Sequence, residues 1–116
     1  MARYTGFTEA VKETIRERSG GRCEAMIPSE CTGIASEIHH RRTRGMGGTR
    51  RADTNLPANG LHLCRECHRW VTEHPAEARE SGWVVRQSQT PSEVRVLRRG
   101  EWVRLFDDGA MWGEAA

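Results

Sequence analysis

Two adjacent histidines, His39 and His40, are followed by Asn59 and then by His68, which stands directly behind a Cys64-Arg65-Glu66-Cys67 pair. Two further cysteines, Cys23 and Cys31, lie upstream. Thiolates are soft ligands, and four of them in two sequence-local pairs satisfy the tetrahedral shell of zinc with little chain ordering. Imidazoles suit a different task. They bind a divalent ion that keeps open positions, or accept a proton near neutral pH. The stretch from Glu37 to His68, together with Cys23 and Cys31, thus holds materials for two metal sites, one closed and structural, one open and reactive.

These residues need elements to hold them. The spacing of Phe7, Val11 and Ile15 predicts a helix over 8–18, N-capped by Thr8 and stopped by Ser19-Gly20-Gly21. A strand is expected from Ile34 to His40, where Ile34, Ser36 and Ile38 alternate against Ala35, Glu37 and His39. The segment from Thr43 to Asn59, with Gly45, Gly47, Gly48 and Pro57, reads as loop. A short strand from Leu61 to Leu63 returns toward the first. A helix from Arg65 to Glu73 follows, ended by Pro75, which can itself open a second short helix over 76–80. Beyond Gly82, the stretches 83–86, 94–97 and 102–106 read as three short strands, with turns at Arg99-Gly100 and Asp107-Asp108-Gly109.

On a strand, His39 and His40 address opposite faces. The zinc knuckle fixes where the following helix begins and so where His68 points. A hairpin packed on that helix can therefore hold His39 and His68 around one ion. His62 alternates against Leu61 and Leu63 and faces either a ligand or the surface. Trp83, Trp102 and Trp112 read as core or edge packing.

With 116 residues, 36% hydrophobic and 29% charged, the chain is expected to form one domain with a modest core, where a metal staple is needed. No apolar run is long enough to span a membrane, and residues 1–6 lack the apolar stretch of a signal peptide. A cytoplasmic location is expected, where thiols stay reduced and metal ligation is favoured over disulfides. Cys64-Arg65-Glu66-Cys67-His68 also matches the spacing of c-type haem attachment. That chemistry requires export and leaves Cys23, Cys31, His39 and His40 without a role.

The net charge is only +2, but Lys12 is the sole lysine among eighteen basic residues. Arg41, Arg42, Arg44, Arg50 and Arg51 fall in one acid-free run. The planar guanidinium fork matches phosphate oxygens. These five are expected to contact the DNA backbone, with salt-dependent, weakly sequence-selective binding, and Arg16 and Arg18 of the first helix, with Arg22 just beyond its end, could reach it as well.

The order His-His, Asn, His, with Cys-x-x-Cys before the last His, resembles the HNH endonucleases. The run Asn59-Gly60-Leu61-His62-Leu63-Cys64-Arg65-x-Cys67-His68 is similar to the small zinc-containing HNH proteins of tailed bacteriophages. The resemblance covers about residues 8–86. It implies an α+β fold, with a ββα-metal core over about 8–82 and a structural zinc on Cys23, Cys31, Cys64 and Cys67. The N-terminal helix and a small β-rich extension over about 83–112 would complete it. His39 and His68 would be ligands of a catalytic Mg²⁺, Mn²⁺ or Ni²⁺. His40 would be the general base, and Asn59 would tie down the loop and orient His40. The implied activity is hydrolysis of DNA phosphodiester bonds to 5′-phosphate and 3′-hydroxyl ends. The implied setting is the host cytoplasm, beside phage terminase components in genome packaging. A non-catalytic zinc module binding DNA or a protein partner is the competing expectation. Thr72 favours it, standing where many family members place a further histidine one helical turn after the last motif His. An incomplete shell with weak metal affinity is expected there, unless His74 swings in where Pro75 breaks the helix.

Overall fold

The computed structural model describes residues 6–44 and 51–113. Helix α1 (Glu9–Ser19) begins where the Thr8 hydroxyl accepts the Val11 N–H and ends with Gly20 in the left-handed conformation. Strands β1 (Glu37–His40) and β2 (Gly60–Leu63) form an antiparallel hairpin in which Ile38 faces His62 and His40 faces Gly60. Helix α2 (Arg65–Glu73) leaves the hairpin directly, with the Cys64 sulfur as its N-cap, and α3 (Pro75–Glu80) follows. A second antiparallel sheet, in the order β3 (Val96–Arg98), β4 (Glu101–Leu105), β5 (Met111–Gly113), closes the described chain. The fold is thus α+β, with three helices and two small antiparallel sheets among the described residues. No helix among them is long and apolar enough to cross a membrane.

Three expected elements come out differently. The first strand is shorter than 34–40; Ile34 makes only an isolated bridge with Arg22. The end of the expected loop winds into two 3-10 turns, Ala52–Asn55 and Pro57–Asn59, which bury Thr54, Asn55 and Asn59. Residues 83–86 are not a strand. Their backbone is taken up elsewhere: Trp83 N donates to Ala78 O and Val85 N to Arg41 O, while Trp83 and Val85 are buried. The third strand comes instead after the Asp107-Asp108-Gly109 turn, in the tail.

Helix α1 lies tightly on the hairpin. A Cβ on Gly60 would come within 2.4 Å of the Ile15 Cδ1 atom and 3.2 Å of Phe7 Cζ, so a side chain there would have to push Ile15 aside. Beneath α1 sits Glu24, fully buried. Its carboxylate accepts from Arg18 Nε and Nη2 at 2.9 and 2.8 Å, from Arg98 Nε at 2.8 Å and from the His62 N–H at 2.9 Å. Burial alone would raise its pKa, but these donors and the Arg18 charge hold it below the usual carboxylate value. One carboxylate thereby joins α1, the loop after it, the hairpin and the C-terminal sheet.

Arg41 and Arg42 are fully buried, so the expectation that they contact DNA is corrected. Arg41 donates to the carbonyls of Gly82, Ala58, Pro91 and Val94 at 2.7–3.1 Å. Arg42 pairs with Asp53 and donates to Gln89 O and Thr54 Oγ1. Arg18 is likewise spent on Glu24, with its side chain 4% exposed. Arginine is suited to this work because one rigid fork satisfies several carbonyls where loops converge. Replacing Arg41 with methionine should leave these acceptors buried and unpaired, costing upwards of about 3 kcal/mol. Urea denaturation would read this as a lower midpoint.

Candidate active site and metal centre

The four cysteines are free thiols, and their sulfurs all lie within 4.8 Å of one another. The Cys31 and Cys64 sulfurs are 3.9 Å apart, close to the edge of about 3.8 Å that a tetrahedron with zinc–sulfur bonds of about 2.3 Å requires. Backbone N–H groups point at the sulfurs: Ile27 N at Cys67, Thr32 N at Cys64, Gly33 N at Cys31 and Cys67 N at Cys64, at 3.3–3.5 Å. Such donors stabilise thiolates. Burial works against the Cys64 thiolate, but the Thr32 and Cys67 N–H groups outweigh it and bring the thiol down to about 6. Cys67 moves up, through burial first and then the neighbouring sulfurs. Four adjacent thiolates need a cation to coexist, and this donor set can hold a metal ion such as zinc.

That cluster also sets the second site. Cys64 is both a member of the cluster and the N-cap of α2, and the His68 N–H donates to Cys64 O at 3.0 Å in the first helical turn. His68 therefore faces His39 across the hairpin, with ring centroids 5.1 Å apart. Each ring is anchored through one nitrogen. His39 Nε2–H donates to Trp83 O at 2.7 Å, and His68 Nδ1–H donates to the Glu37 carboxylate at 2.8 Å. Ligating imidazoles are held in this manner, leaving Nδ1 of His39 and Nε2 of His68 with their lone pairs. Burial pushes His39 down to about 4, so it is neutral, as a ligand must be. The two rings thus lie side by side, each with one nitrogen whose lone pair is not taken up by these bonds.

His40 stands beside this pair, stacked on Phe7 with centroids 4.0 Å apart. Its Nε2–H donates to Asn55 Oδ1 at 2.7 Å, which fixes the tautomer and leaves Nδ1 as the proton acceptor. Burial, countered by the Asn55 bond and reinforced by the Arg44 charge, lowers its pKa and keeps it unprotonated near neutrality. Asn59, expected to orient His40, does not contact it through any described hydrogen bond. Its Oδ1 accepts from Arg42 N at 2.7 Å, and its Nδ2 donates to Arg42 O and Thr54 O. It ties the end of β1 to the 3-10 turn that carries Asn55. Sequence reasoning passed over Asn55 and Glu37. The signal was faint: a second asparagine four positions before the motif one, and a carboxylate two before His39.

A cleft of about 650 Å³ opens between β1 and α2, lined by His39, His40, Arg44, His68 and Thr72 among others. The Thr72 hydroxyl donates to His68 O at 2.9 Å, the local bond of a helical threonine. His74 is turned away, its Nδ1–H donating to Trp70 O and its ring stacked on Trp70. It therefore does not complete the set. Of the remaining arginines, Arg44 is exposed at the cleft, and Arg51 is exposed with one guanidinium nitrogen on Gln87 O at 2.7 Å. Arg50 lies outside the described residues. His62 is buried, its Nδ1 2.7 Å from Ser19 Oγ.

Compared with family models, with curated proteins and with solved structures, the chain shows no match in any of the three.

Proposed function

We propose that the protein is a metal-dependent endonuclease of the HNH kind, hydrolysing DNA phosphodiester bonds in the cleft between the hairpin and α2. One observation carries this reading. His39 and His68 meet edge to face with their outer nitrogens anchored, beside a neutral His40 whose tautomer leaves Nδ1 free. The motif resemblance to HNH proteins supports it, and the β1–β2–α2 unit with its thiolate cluster is the scaffold such a site uses.

The chemistry follows from what these residues offer. His40 Nδ1 takes a proton from a water attacking phosphorus in line, while the P–O3′ bond breaks and the 3′ oxygen leaves, taking its proton from solvent. His39 and His68 would hold a divalent ion, which would supply Lewis-acid stabilisation of the charge on the leaving oxygen. Asn55 keeps His40 in the competent tautomer. Asn59 holds the turn that presents Asn55. Arg44, exposed at the same cleft, meets the phosphate charge. The four-cysteine cluster, holding zinc, fixes the start of α2 and so the place of His68.

A plasmid-nicking assay with zinc-loaded protein and added Mg²⁺ or Mn²⁺ tests the reading; intact supercoiled plasmid after prolonged incubation would overturn it. Thr72, with its hydroxyl on the helix backbone, favours the second reading, a zinc-stabilised DNA-binding module. That reading predicts binding without nicking. If the enzyme reading holds, Asn55→Ala should lower kcat by roughly 10- to 100-fold, the usual effect of losing a partner that orients a reactive imidazole. KM should stay near wild type. An unchanged kcat would remove Asn55 from the mechanism.

A further inference from the structure

On the opposite face of the hairpin from the histidine cleft, a second cavity of about 420 Å³ lies between α1 and the strands. Lys12 and Arg16 line it from one face of α1, spaced one helical turn apart. Across from them stand His40 and His62, and Arg44 closes the side. No carboxylate is among its described lining residues. Among the described residues, Lys12 and Arg16 form ion pairs only with Glu9 and Glu13 of their own helix, at 3.2 and 3.9 Å and in solvent, where such pairs are weak and screened. The cavity shares Ile38, His40 and Arg44 with the histidine cleft, so the two adjoin across the end of β1.

We infer that this cavity is a phosphate subsite, in which Lys12 and Arg16 hold a DNA backbone phosphate flanking the one presented to His40. The inference rests on the nuclease reading and extends it. A strand crossing His40 lays one phosphate over the His39–His68 pair and a neighbour against α1. Two cations on a wall without carboxylates among its described lining residues suit an anion with exposed oxygens. Bound this way, the substrate is registered on both sides of His40, and the contact carries no base information.

The test compares Lys12→Gln/Arg16→Gln with a charge-matched control, Arg79→Gln/Arg95→Gln, whose residues line neither cavity. Cleavage of a duplex of about two helical turns is followed in Mg²⁺ or Mn²⁺. Duplex binding is measured across a salt series in a His68→Ala background, so that the DNA is not consumed. The subsite predicts a KM about tenfold higher with kcat within about twofold, and a salt slope smaller by about 1, the loss of one phosphate contact. Lys12→Arg/Arg16→Lys, which keeps both charges, should restore KM. If the double variant matches the control in KM and salt slope while the wild type cleaves, the subsite is overturned and the nuclease reading stands. If the wild type neither cleaves nor binds the duplex, both fall.

Discussion

On the proposed mechanism, replacing His40 with alanine should lower the rate of DNA cleavage by about 10²- to 10⁴-fold, the range a positioned general base contributes. Duplex binding and the melting temperature should change little. His40 is half-buried at the end of β1, and its contacts are the Phe7 ring and the Asn55 amide. Neither contact belongs to the thiolate cluster or to the Glu24 network, so the scaffold should survive the truncation. The effect belongs to kcat, because the imidazole matters only when the attacking water gives up its proton. His68→Ala should also abolish cleavage, but a higher divalent concentration should recover part of it, since that variant loses a ligand rather than the base. Plasmid relaxation, quantified against time for both variants, separates the two roles. Cleavage that persists at wild-type rate in His40→Ala would end the assignment of the base.

The second large effect concerns the thiolate cluster. Cys67→Ser, or removal of the metal by a strong chelator, should unfold most of the chain at about 37 °C. Structural zinc contributes on the order of 10 kcal/mol in small zinc domains, comparable to the whole stability of a domain this size, about 5–15 kcal/mol. Cys64 and Cys67 are both fully buried and belong to the same apolar cluster as Leu61, Leu63, Val71 and Val103. Losing even about 5 kcal/mol would lower the melting temperature by roughly 20 °C. Circular dichroism melts of the loaded protein, the chelated protein and Cys67→Ser give the shift, and native mass spectrometry gives the metal count, expected to be one zinc per chain from this cluster. An unchanged melt after complete metal removal would show that the apolar core suffices by itself.

Local chemistry was legible in the sequence. Thr8 caps α1 and Gly20 ends it because a hydroxyl and a glycine satisfy helix ends from within the chain. The Cys-x-x-Cys pair marked the start of α2 because a zinc knuckle is also a local structure. Pro75 separated α2 from α3 for the same kind of reason. The pairing of His39 with His68 followed once the hairpin and α2 were expected to pack together.

The arginines show where such reasoning stopped. Arg41, Arg42 and Arg44 are neighbours of one type in one run, yet two are fully buried and the third is exposed. What divides them is the carbonyls of residues up to 53 positions away, which Arg41 and Arg42 satisfy. The same holds for His40. Two asparagines stand near its end of the hairpin, and only the 3-10 turn decides that Asn55 holds the imidazole while Asn59 holds the turn. Residue types and short spacings determined the cysteine pairs, the helix limits and which histidines stand near the hairpin and α2, because each depends on groups close in the chain. The partners of those groups depend on which distant backbone oxygens are left without a donor, and only the tertiary structure decides that.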